Sequence, residues 1–191
     1  RFLDLDRDYL IDTRFRTFGF SLSASFPFTK FKRMEFSGTF VRVSREYLFP
    51  GVPTQRRDIL LPSMSFVHDN VLWGYTGPNN GTRYNLTTYG TPHIGNSGLS
   101  FYSALLDYRT YLRLGRGYAF ALRFAGGGSF GKDPQRFVVG GTENWINRRF
   151  TYDRIPIDNP EDIIFLTEGV PLRGFDYDAQ IGTRYSLFNA E

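Results

Sequence analysis

The chain alternates in steps of two. Between Arg16 and Phe28 the even positions are Arg16, Phe18, Phe20, Leu22, Ala24, Phe26 and Phe28, while Thr17, Gly19, Ser21, Ser23 and Ser25 fill the odd ones. Successive side chains of an extended chain point to opposite faces, so this run predicts a β-strand with one greasy face and one small polar face. A second strand sets Met34, Phe36, Gly38 and Phe40 against Arg33, Glu35, Ser37 and Thr39; a third sets Leu60, Pro62, Met64 and Phe66 against Leu61, Ser63 and Ser65. In a fourth, Tyr84, Leu86 and Thr88 oppose Arg83, Asn85 and Thr87. The fifth alternates Tyr102, Ala104, Leu106, Tyr108 and Leu112 with Ser103, Asp107, Arg109, Tyr111 and Arg113. The sixth sets Tyr118, Phe120, Leu122 and Phe124 against Ala119, Ala121, Arg123 and Ala125. The seventh, from Ala179 to Glu191, puts Ile181, Thr183, Tyr185 and Leu187 on the greasy face and Gly182, Arg184 and Ser186 on the other.

The polar face discriminates between two kinds of sheet. A soluble sandwich turns its apolar face inward and shows water a face rich in Lys and Glu. Here the polar face carries Ser, Thr, Gly, Arg and Asp, as a crowded, wet lumen would require. The apolar runs are also about the 9–11 residues that a tilted strand needs to cross a bilayer. The expected fold is therefore all-β: part of a transmembrane antiparallel up-and-down β-barrel, about seven strands of a larger one of about 16. A soluble barrel or sandwich is the competing architecture.

The connections fit the barrel. They are short at Pro27 to Lys30 and at Leu114 to Gly117, and long from Glu46 to Asp58 and over about 129–178. Outer-membrane barrels join strands by short periplasmic turns and longer external loops, so the last of these is expected outside. Residues 1–191 are read as one segment of a single barrel domain, with the 129–178 loop folded into the lumen. Seven strands are an odd number, and open sheet edges are untenable in hydrocarbon. That count, Arg1 in place of Met, and a strand-like pattern running out at Glu191 are what a piece of a larger barrel would show.

Composition agrees. The chain holds 20 Phe and 12 Tyr, yet only 41% of it is hydrophobic and its mean hydropathy is −0.33. Many large aromatics within a polar average follow from lipid-facing and lumen-facing residues taking turns. No stretch approaches the roughly 18 apolar residues of a membrane helix. The absence of Cys excludes disulfides and thiolate metal sites. The formal charge of +4 is spread singly, without the clustering of a nucleic-acid patch, so no nucleic-acid partner is expected.

Catalytic chemistry finds little support. His68 and His93 are the only histidines, and neither has a second ligand at metal spacing nor a serine placed for nucleophilic catalysis. Gly126, Gly127 and Gly128 lack the Lys-Thr/Ser and helix of a phosphate loop. Neither an enzyme, a metal nor a cofactor is expected. Asp107, Arg109, Arg113 and Arg123 read as lumen charges, either a mutually neutralising network or the lining of an ion path.

The long loop contains Arg136-Phe137-Val138-Val139-Gly140-Gly141 and then Val170-Pro171-Leu172-Arg173-Gly174-Phe175. At these residues the sequence resembles the superfamily of outer-membrane assembly and translocation barrels that includes BamA, TamA and FhaC, also known as the bacterial surface antigen type. The resemblance implies a strand ending in the loop-base glycines Gly140 and Gly141, then a loop that tucks into the lumen with Arg173-Gly174-Phe175 at its tip. A spacing of about thirty residues between Gly141 and Arg173, filled by Glu143-Asn144-Trp145-Ile146-Asn147 and an Asp/Ile/Pro-rich insert, departs from the family's pattern. Arg offers a permanent charge and five donors, Gly174 permits a tight turn, and Phe175 supplies an apolar anchor. By resemblance Arg173 locks the loop to an acidic wall residue, with Glu191 the first candidate and Asp107 the second. Strict parity puts Glu191 on the Leu187 face, so a bulge near Phe188 is expected.

The resemblance further implies a non-enzymatic barrel of the Gram-negative bacterial outer membrane that assembles, inserts or translocates other outer-membrane or surface proteins. Its gate strands would lie outside these residues. Its expected partners are outer-membrane lipids with lipopolysaccharide, protein substrates, and periplasmic or lipoprotein subunits. The alternatives are a passive channel and a barrel anchor at the C-terminus of a multidomain envelope protein.

Overall fold

The structure, a computed structural model, describes residues 13–47, 51, 53–75, 77–93, 99–115, 118–141, 161–162, 169–172, 174–175 and 179–191. Its main sheet is a meander of long antiparallel strands: β1 (Thr13–Thr29), β2 (Lys32–Tyr47), β3 (Gln55–Asp69), β5 (Pro78–Thr91), β6 (Phe101–Gly115), β7 (Tyr118–Gly131) and β11 (Arg184–Ala190). The two-residue β4 (Leu72–Trp73) folds back on the start of β5. Each of the six expected strands up to β7 is present and longer than its alternation alone suggested. Among the described residues the sheet does not close on itself: β1 and β11 form its two ends. It is part of an up-and-down β-barrel wall.

Register carries the parity across the sheet. Even positions align with even positions, so that His68, Tyr84, Tyr108, Phe124 and Phe188 form one cross-strand row. Neighbouring rings touch along it: His68 stacks on Tyr84 with centroids 4.9 Å apart, and Tyr84 on Tyr108 at 6.4 Å. His68 is thus a member of an aromatic ladder of the kind that stabilises cross-strand neighbours. On this face Phe18, Phe20, Leu22 and Phe26 stand in the open, Leu22 with 77% of its surface exposed. An uncovered apolar patch of this extent calls for hydrocarbon or another protein against it.

The odd face is its opposite. Small hydroxyls pair across strands, Ser21 with Thr39 at 2.9 Å, Ser37 with Ser63 at 2.7 Å, Ser65 with Thr87 at 2.9 Å and Ser103 with Ser129 at 2.9 Å. The buried apolar side chains also lie here, against the inner wall. One cluster joins Ile59, Leu99 and Phe101; another joins Ala125 and Leu187 to Val170 of the long loop.

Three expectations need correction. First, β7 runs past Ala125 through Gly126-Gly127-Gly128 to Gly131, so residues 129–131, expected to open the loop, belong to the sheet. Gly127 is where two neighbours meet: a Cβ there would lie 2.5 Å from Leu105 Cδ2 and 2.7 Å from Tyr185 Cε1. Second, the seventh strand breaks at Thr183. Its upper part, β10 (Gln180–Gly182), leaves the wall and pairs inside the loop, while β11 stays with β7. Third, the faces of β11 are reversed. Leu187 stands opposite Ala125 and is buried against the loop, while Phe188 stands opposite Phe124 with 67% of its surface exposed. The register from Arg184 to Ala190 is continuous and Glu191 exchanges both backbone hydrogen bonds with Ala121, so no bulge occurs at Phe188. Glu191 therefore takes the lumenal parity without one, and Arg184 takes the outer parity, its guanidinium 4.7 Å from the Phe130 ring centroid.

Candidate functional site: a loop seated on the lumenal wall

The loop carries its own small sheet. β8 (Phe137–Val139) lies at its centre, parallel to β9 (Gly169–Val170) on one side and antiparallel to β10 on the other. Its apolar sequence suits a strand covered on both sides: Val138 is fully buried, and Phe137 packs edge-on against Tyr185 of the wall with ring centroids 5.1 Å apart.

Gly140 and Gly141 sit where β8 ends, and they hold the signature segment directly. Gly140 N–H donates to the Val170 carbonyl at 3.0 Å and Gly141 N–H to the Phe175 carbonyl at 3.0 Å, while Leu172 N–H donates to the Gly141 carbonyl at 2.9 Å. Gly141 does this with φ +72° and Gly174 turns the chain with φ +86°, both in the left-handed region that an L side chain strains to enter. The pairing thus supplies a backbone reason for the two glycine sites. Phe175 is exposed, and its carbonyl, not its ring, fastens the segment. The apolar anchor is instead Phe137 with Val170, against Ala125, Tyr185 and Leu187. Arg173 lies outside the described residues, as does the Glu143–Asn147 stretch.

Beneath the loop the wall is charged. Asp107 accepts from Arg109 Nε and Nη2 at 2.9 Å each, and from Arg123 Nη2 at 2.8 Å. These three belong to one network on the odd face of β6 and β7, and Phe137, Val170 and Pro171 of the loop face them across a cavity of about 290 Å³. Two charge-assisted contacts from different strands fix the carboxylate in place. Arg113 is not part of it; four residues down the strand, it is exposed and reaches the Gly115 carbonyl at 3.4 Å. Asp69 and Arg83 make a further lumenal pair, with 3.6 Å between Oδ2 and Nε.

A contact that alternation could not show lies on the same face, further across the sheet at β3. Glu161 of the loop is buried, and its Oε2 is 3.4 Å from Nε of Arg57 on β3. The sequence signal for it is weak: one of several acids in a long loop and an arginine at a lumenal position, 104 residues apart by numbering (161 − 57).

No family model matches the chain, and no curated protein matches it by sequence. Solved structures do resemble it. The chain is similar to the crystal structure of BamA from Haemophilus ducreyi lacking POTRA domains 1–3, with a TM-score of 0.56 and 16% identity. The match covers 69% of this chain and 30% of that one, so the chain spans under a third of the length of the protein it resembles. Likeness at this identity speaks to fold alone: the wall described above is folded like part of the BamA barrel.

Proposed function

We propose that the chain forms part of a non-enzymatic outer-membrane barrel that assembles, inserts or translocates other outer-membrane or surface proteins. The observation that carries this reading is the loop that returns to the lumenal wall with Gly140 and Gly141 bonded to the backbone of the Val170–Phe175 segment. A loop built this elaborately, with its own three-stranded sheet, is far more than a connection needs. The even face would lie against lipid, with lipopolysaccharide at one rim, and the odd face would line the pore. Substrate strands would be received by β-augmentation at an open barrel edge, which supplies backbone hydrogen bonds to a chain entering a solvent that has none to offer. Periplasmic or lipoprotein partners belong to the same reading.

Arg173→Ala in the intact protein tests it. The variant is expected to be made and reach the membrane fraction while assembly of client proteins falls. Normal client assembly by that variant would count heavily against the idea.

A passive channel is the second reading, favoured by the Asp107, Arg109 and Arg123 charges along the cavity wall. It predicts a large bilayer conductance that is indifferent to Arg173.

A further inference from the structure

We infer that Glu161 and Arg57 form a second clasp, which ties the long loop to the far side of the lumen independently of the Arg173 region. The inference rests on the barrel reading for its setting but on local geometry for its substance. The loop leaves the wall from β7 and rejoins it at β11, and its apolar anchor sits on those two strands. Arg57 belongs to β3, which is separated from β7 by β5 and β6. A contact between Glu161 and Arg57 therefore places Glu161 several strands away from the Val170 anchor on β7 and β11.

Burial makes the contact consequential. The Glu161 side chain is only 7% exposed, its Oε2 has no hydrogen-bond partner, and the cation it meets is Arg57 at 3.4 Å. A carboxylate taken from water is strongly destabilised unless an opposite charge compensates it. The floor at that point is apolar: Val43 stands opposite Arg57 across the β2–β3 ladder and Ile59 is the next odd residue along β3, and both are buried. A low-polarity floor strengthens the pair and sharpens the penalty for losing one member. The neighbouring Arg45 is engaged over two rings, 5.6 Å from the Phe15 centroid and 5.0 Å from that of Tyr47. Without Arg57 the buried Glu161 would lose the opposite charge that compensates it, while the apolar anchor on β7 and β11 is untouched. Arg57 and Glu161 are positioning residues in this scheme; they set where the loop lies.

A charge-reversal cycle on the intact, detergent-folded protein tests it. The readout is the rate of proteinase K cleavage between residues 132 and 179, mapped by mass, beside the gel mobility of unheated against heated protein. Arg57→Glu and Glu161→Arg are each expected to speed cleavage in the loop by roughly tenfold or more, as loss of a buried partner implies, with mobility unchanged. The combined Arg57→Glu/Glu161→Arg protein is expected to return to near the wild-type rate, which a merely structural role for either residue would not produce. Single variants that cleave at the wild-type rate, or a double variant as labile as the singles, would overturn the clasp. If Arg57→Glu prevents folding, Glu161→Gln carries the test alone, with faster cleavage expected and an unchanged rate overturning it. Failure of the barrel reading would show separately, as a wild-type protein soluble without detergent and lacking the heat-dependent mobility shift.

Discussion

Leu187 stands directly opposite Ala125 on the inner face of the β7–β11 ladder, and Val170 of the long loop closes over both. The pair therefore reports on the loop, although it belongs to the wall. Truncating Leu187 to Ala should cost about 2–5 kcal/mol, the usual cost of emptying a buried leucine site. It should also raise proteolysis between residues 132 and 141. Phe188→Ala, one residue along on the exposed face, should leave loop proteolysis unchanged. Equal loop protection in both variants would mean that Leu187 does not seat the loop.

Gly127 gives a sharper steric prediction. A side chain there would press into Leu105 and Tyr185, the residue against which Phe137 packs. Gly127→Val should destabilise the protein by about 1–3 kcal/mol through overpacking and displace the loop with it. At Gly38, on the outer face of β2, an added Cβ would meet nothing within 4 Å. Gly38→Ala should be neutral or stabilising by about 0.5 kcal/mol, since alanine costs less strand entropy than glycine. Denaturant titration of the two variants in the same detergent checks the contrast.

Asp107 gathers two arginines, so it governs the charge of the cavity wall. Asp107→Asn keeps the volume but leaves Arg109 and Arg123 without their carboxylate. The expected cost is about 1.5–3 kcal/mol, the range for hydrogen bonds to charged groups. The wall becomes more positive, so bilayer currents through the intact protein should shift toward anion preference. Arg113→Gln, down the strand and outside the network, should move neither stability nor selectivity appreciably. Reversal potentials in a salt gradient separate the two.

How far the fold could be read from the chain depended on what each face met. From β1 to β7 the odd face is largely hydroxyls, glycines and charges, so Phe20, Phe36 and Phe120 at even positions settle the parity at once. The rule fails at β11 because the loop covers the wall there. Tyr185 and Leu187 are as apolar as lipid-facing residues, but what they meet is Phe137 and Val170. Alternation separates greasy from polar, and it cannot tell hydrocarbon from a packed plug. Val43 and Ile59 show the same ambiguity on β2 and β3, apolar yet at inner positions. The loop-base glycines Gly140 and Gly141 were named only through the resemblance, and the positive φ at Gly141 is a backbone reason that the structure adds. The Arg57–Glu161 contact left none, since an ion pair closed by tertiary folding imposes no spacing on the sequence.

The central claim is that the even face of each strand meets hydrocarbon and the odd face meets water or the loop. Residues 1–191 hold no cysteine, so single cysteines placed at residues 20 through 25 of β1 would be the only ones within this stretch. Spin labels attached there, in the intact protein reconstituted in vesicles, measure access to oxygen, which dissolves in lipid, and to a water-soluble nickel chelate. The account predicts that labels at Phe20, Leu22 and Ala24 favour oxygen and those at Ser21, Ser23 and Ser25 favour the chelate, with a period of two. A flat profile, or even positions shielded from both reagents in a dry protein interior, would contradict it.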